Sequence, residues 1–170
     1  LAEEALVSML DDPVRAVRTE AARVLSRLPS REFSSSGLPA FRSAIADLKQ
    51  GYRANLDRAE ANFSLAILAE DQGDFESAKK YYRLSIERET TFVPSRMNLA
   101  TLLNSQGRNT EAEKLLREVI KLQPAWGQVH YSLGLLIAEN SSRIKEASDA
   151  LRKATQLEGN FARAHYNLGL

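Results

Sequence analysis

No cysteine occurs in the chain. That excludes disulfides, thiolate metal sites, a cysteine nucleophile and covalent haem attachment within it. Neither sign of charge is in surplus: 23 Lys and Arg face 22 Asp and Glu, so no basic field draws the chain to nucleic acid or to an acidic membrane surface. No apolar run approaches the ~20 residues that span a bilayer, so membrane insertion is not expected. A Gly-rich phosphate loop, H-E-x-x-H and G-x-S-x-G are all missing. The acidic pairs Glu3–Glu4 and Asp11–Asp12 read as an exposed helix start and a turn, not as catalytic carboxylates held in a pocket. No catalytic residue, metal or cofactor is therefore expected in these residues. No initiator Met or signal peptide precedes Leu1, and Leu170 falls within an apolar pattern, so the chain reads as a piece of a longer protein.

What is present is 44% hydrophobic and 26% charged, which is the composition of a folded chain rather than a disordered one. The only two histidines, His130 and His165, sit in the near-identical phrases HYSLG and HYNLG. Leu133–Gly134 recurs as Leu99–Ala100 and Leu65–Ala66 at intervals of 34 residues, and as Leu168–Gly169 after 35. Ala78, Ala112 and Ala147 move in the same step, with one extra residue placed in ENSSR. Gly73 and Gly107 mark a common turn, and Pro124 closes a second helix. Within each unit apolar residues recur at three- and four-residue spacing, as in Leu115, Leu116, Val119 and Ile120, which is helical periodicity. The histidines thus repeat because a building block repeats. In successive units their α-carbons would lie roughly 10 Å apart, but no third ligand recurs beside them, and packing or hydrogen bonding is the expected role.

A 34-residue helix–turn–helix unit with Leu-Gly or Leu-Ala in the first helix, Gly in the turn and Ala at the crossing resembles the tetratricopeptide repeat. Thr90 and Gly159 replace the usual closing proline, and Asn62, Arg96, His130 and His165 stand where Trp is frequent. The expected organisation is repeats over 59–92, 93–126 and 127–161, the start of a fourth at 162–170, and a second helix alone over 39–58, where Ala44, Leu48 and Gly51 fit small, large, small. Small residues at the crossing let paired helices approach, while Phe75, Tyr82, Leu116 and Leu151 fill the gaps. Residues 1–28, LAEEALVSMLDDPVRAVRTEAARVLSRL, resemble a HEAT repeat, with Pro13 in the first turn of its second helix. Residues 29–38 read as a linker, and the HEAT-like helix is expected to pack on the 39–55 helix. Together the resemblances imply an all-α, right-handed α-solenoid.

In tetratricopeptide arrays the first helices line a concave groove. The matching register here gives Phe63, Met97, Tyr131 and Tyr166 in one column, and Ile67, Thr101 and Leu135 in a second. Asn98, Asn104 and Asn167 stand beside them and suit hydrogen bonding to a peptide backbone. An exposed apolar column of this kind marks a contact surface. The resemblance therefore implies a non-enzymatic scaffold binding a protein or peptide segment in an apolar, aromatic groove. Packing against the parent chain or a second copy is the rival reading, with self-association through truncated repeat ends. A basic clamp for chaperone carboxylates is not expected, because Phe63 and Ile67 occupy two of its positions and Arg163 is the only basic residue among those read. Asn62-Phe-Ser64 and Asn140-Ser-Ser142 match the glycosylation pattern, which chance supplies often.

The order of DDPVRAVRTEAARVLS followed by tetratricopeptide-like units is also similar to the C-terminal region of some bacterial multihaem cytochromes. That resemblance implies an alternative: an assembly arm of a larger periplasmic redox protein whose chemistry lies outside these residues. A cytoplasmic setting is the other option. A third reading, the recognition arm of a transferase, likewise places catalysis elsewhere.

Overall fold

The computed structural model describes residues 2–27, 37–160 and 162–169. Among them every regular element is helical, and no helix is long and apolar enough to cross a membrane. The chain is all-α, of the helical-repeat solenoid class. It divides into two compact units, 1–89 and 90–170.

The first unit contains α1 (Ala2–Ser8), α2 (Arg15–Leu25), α3 (Gly37–Arg53), α4 (Ala59–Asp71) and α5 (Phe75–Arg88). Leu10, Ala21, Ala22 and Leu25 close on Phe41, Ala44 and Ile45 of α3 and on Leu68 of α4. The N-terminal helix pair therefore shares a core with α3. Pro13 lies ahead of α2, not in its first turn: the helix begins at Arg15, and Asp12 accepts a hydrogen bond from the Val14 amide at 2.7 Å instead. Helix α3 starts at Gly37, two residues before the expected boundary, and residues 28–36, most of the expected linker, lie outside the described residues. Gly51 makes no close approach, since a Cβ there would meet nothing within 4 Å.

In the α4–α5 hairpin Ala66 and Ala78 are fully buried at the crossing and Tyr82 is sealed between the helices. The Tyr82 hydroxyl donates to Glu70 Oε2 at 2.7 Å, and its ring tilts against Phe63 with centroids 6.0 Å apart. Phe75, expected to fill a gap, is 45% exposed. As the first residue of α5 it precedes the turn that faces α4.

The second unit contains α6 (Val93–Ser105), α7 (Asn109–Leu122), α8 (Gly127–Ala138), α9 (Ile144–Leu157) and α10 (Ala162–Leu168). Ala100 with Ala112, and Gly134 with Ala147, occupy the tight crossings of its two hairpins. First helices α6 and α8 bury residues around most of their circumference, whereas α7 and α9 bury one stripe and leave charged residues outside.

Gly73 and Gly107 close their turns at φ of 75° and 73°. In each turn the glycine amide and the next amide return to carbonyls of the preceding helix, as in Gly73 to Glu70 and Asp74 to Ala69, both at 2.9 Å. The third hairpin lacks that glycine. Asn140 caps a short 3-10 turn over Ser141–Arg143, its Oδ1 accepting from the Ser142 amide at 3.0 Å, and this is where the extra residue goes. That turn delivers Arg143, which donates to both carboxylate oxygens of Glu113 at 2.7 and 2.8 Å and to Glu146. Arg117 joins the same cluster by pairing with Glu113 and Glu146.

Hydrogen bonds from Arg143, and then from Arg117, hold the Glu113 carboxyl at about 2, well below its ordinary value. A depressed carboxylate stabilises the fold above its unfolded pKa, near 4.5. The contribution is lost as pH falls from there through about 2. Glu113→Gln is thus expected to lower the unfolding free energy read from urea titration at neutral pH by on the order of 1 kcal/mol, because the cluster is partly solvated. The gap between variant and parent should close below the unfolded pKa and shrink in high salt. A pH-independent gap would mean that packing, not charge, holds this corner.

Candidate functional site

The repeated histidines have a local task. His130 Nε2–H donates to the Pro124 carbonyl at 3.0 Å, and His165 Nε2–H donates to the Gly159 carbonyl at 3.1 Å. A carbonyl only accepts, so the bond fixes the proton on Nε2 in both. Asn62, in the same register, donates to the Leu56 carbonyl at 2.9 Å and to the Arg58 carbonyl at 2.7 Å. In α4, α8 and α10 one position of the repeat therefore ties the loop six residues back to the start of the first helix. Arg96 departs from this: it is buried and pairs through Nε with Glu118 Oε2 at 3.3 Å. Among the described residues no group of three His, Asp or Glu is arranged to hold a metal ion.

The residues assigned to the groove lie in two separate environments. In the first unit, Phe63 and Ile67 are half-buried on α4 and border a cavity of about 180 Å³. Leu48 and Tyr52 of α3, also half-buried, form another side. Arg23 of α2 and Arg27, just past that helix's end, complete it. Ser26 Oγ donates to Asp71 Oδ2 at 3.0 Å, which ties the end of α2 to the end of α4 and sets the width of the opening. The end of α2 and the residue after its cap thus supply basic groups beside the apolar pair. The sequence reading missed Arg23, Arg27, Leu48 and Tyr52. The available signal was the close spacing of Arg23 and Arg27 at the end of the N-terminal apolar pattern that packs on α3.

In the second unit, Met97, Asn98 and Asn104 are half-buried on α6, and Thr101 is exposed with its hydroxyl donating back to the Met97 carbonyl at 3.1 Å. Asn104 Oδ1 is buried without a hydrogen-bond partner. Leu135 is 39% exposed and Tyr166 83% exposed. Tyr131, expected to share their exposure, is only 9% exposed. It packs with Leu151, Ala154 and Ala164, and its hydroxyl accepts from Asn167 Nδ2 at 2.9 Å. The following first helix covers it, so Tyr131 is a core residue and the amide of Asn167 is engaged.

Two family models, both described as tetratricopeptide repeat, match residues 69–136 and 40–92. No curated protein sequence matches the chain at a significant level. Among solved structures, MamA from Desulfovibrio magneticus RS-1 aligns with a TM-score of 0.66 at 19% identity, covering 89% of this chain and 81% of its own. YrrB, titled a TPR protein with an unusual peptide-binding site, aligns with a TM-score of 0.67 at 15% identity, covering 92% of this chain and 73% of its own. An O-GlcNAc transferase variant from Thermobaculum terrenum aligns with a TM-score of 0.56 at 24% identity, over 65% of this chain and 21% of its own. At such identities the likeness is one of fold. The 34-residue register, the paired helices, their glycine-closed turns and the two matching family models agree: the chain belongs to the tetratricopeptide repeat family of protein-interaction scaffolds.

Proposed function

We propose that the chain is a non-enzymatic scaffold that holds a peptide or helix of a partner protein against its first helices. The observation that carries this reading is a cavity of the first unit, beside α4, where the half-buried side chains of Leu48, Tyr52, Phe63 and Ile67 border about 180 Å³. Such a group gains by admitting one more apolar side chain, since each buried apolar side chain contributes roughly 1.5–3 kcal/mol. In the second unit, Leu135 and Tyr166 keep apolar surface in water and offer a further contact. The peptide-binding site named for YrrB, a structure of similar fold, supports the reading.

Selection from a random peptide library displayed on phage tests the reading. Binders are expected, and for those that occupy the first unit Ile67→Ser should weaken capture at least several-fold while far-UV circular dichroism stays that of the parent. A library that yields no peptide competed by free chain would sink the proposal.

A further inference from the structure

We infer that the cavity of the first unit takes a bulky apolar side chain lying next to a carboxylate, so that its ligand is an acidic, apolar peptide segment. This rests on the peptide-scaffold reading and specifies its chemistry. Size gives the first half of the argument. A cavity near 150 Å³ is enough to admit a benzene ring, and this one measures about 180 Å³ with Tyr52, Phe63 and Ile67 on its walls.

Charge gives the second half. The two arginines at the cavity differ. Arg23 is committed to Glu20, three residues away on its own helix, through both Nε and Nη2. Arg27 is half exposed, and its one ion pair runs through Nε to Asp71 Oδ2 at 3.7 Å, beyond hydrogen-bond length. Neither of its Nη groups donates to any described residue. The guanidinium therefore has the planar fork that binds a carboxylate through two parallel bonds still available. Asp71 is already engaged by Ser26, so it is a poor seat for an incoming cation. An amide or a lysine beside the apolar group would leave the fork unused.

The test uses the whole chain, labelled with nitrogen-15, titrated with the synthetic peptides acetyl-Gly-Phe-Glu-Gly-amide and acetyl-Gly-Phe-Gln-Gly-amide. The Phe-Glu probe is expected to shift amides of α2, α3 and α4 around the cavity and to bind roughly tenfold tighter than the Phe-Gln probe, the value of one charge-assisted contact. Arg27→Gln should erase that preference while leaving the remaining amide spectrum in place. If Arg27→Gln loosens α2, Arg27→Lys decides: it keeps the charge, loses the fork and should retain only part of the preference. Equal binding of the two probes, shifts confined to the second unit, or no shifts at all would each overturn the assignment. A library that still yields binders in that case leaves the scaffold reading standing and moves its site elsewhere.

Discussion

Tyr82→Ala is expected to destabilise the first unit by about 3–5 kcal/mol, the usual cost of emptying a buried aromatic site. Tyr82 is fully buried, its ring lies beside Phe63, and its hydroxyl is bound by Glu70. The neighbours at the crossing are Ala66 and Ala78, already the smallest side chains that an α-helix carries without penalty, so they cannot reach into the void. A domain has only about 5–15 kcal/mol in total, so the loss should be visible as an early phase in urea unfolding, before the second unit melts. Tyr82→Phe separates the two components. It keeps the ring and removes one bond to a carboxylate, for roughly 1.5 kcal/mol, because Glu70 is only partly buried and regains water. If Tyr82→Ala and Tyr82→Phe shift the midpoint equally, the ring contributes little and the packing account of this hairpin is wrong.

The second large effect concerns Gly134. A Cβ placed there would stand 2.8 Å from Leu151 Cγ, 2.9 Å from Leu151 Cδ2 and 3.2 Å from the Ala147 carbonyl oxygen. Two terms compete on substitution to alanine. Helix propensity favours alanine by about 1 kcal/mol. Overpacking a filled core costs about 1–3 kcal/mol. Leu151 is itself 4% exposed and packs with Tyr131 and Ala154, so the clash should win and Gly134→Ala should lose about 1 kcal/mol net. Gly134→Val adds a branched side chain to the same gap and should lose about 3 kcal/mol. The equivalent positions of the other hairpins already carry Ala66 and Ala100, which shows that the demand is local to the α8–α9 pair. Combining Gly134→Val with Leu151→Ala should be milder than the sum of the two, because each change relieves the other. Additive losses in the double variant would mean that the helices are not in contact there, and a gain for Gly134→Ala would mean that Leu151 yields and helix propensity wins.

Both sites were legible before any coordinates, because small residues facing large ones at a fixed 34-residue step leave a mark in one dimension. So were the turns of Gly73 and Gly107, since only glycine adopts a left-handed backbone freely. What escaped were features set by neighbours distant in sequence. Tyr131 looked like a groove residue because register alone cannot show that α10 lies over it. Phe75 looked like core because it is large, yet at the first position of α5 it is 45% exposed. The task of His130 and His165 depends on where a loop carbonyl lands six residues earlier, which spacing does not disclose. Arg27 drew no notice because its importance comes from sharing a cavity with Phe63 and Ile67, some forty positions away.

The third hairpin shows how the scaffold treats added length. Its corner carries an extra residue, yet Ala147 still meets Gly134, so the helical phase beyond the corner is undisturbed. Asn140 and the 3-10 turn after it take up the surplus locally, in solvent. A protein engineer seeking a place for an epitope tag or a fluorophore-bearing loop would choose the segment between Glu139 and Ser142, upstream of Arg143 and its ion pairs.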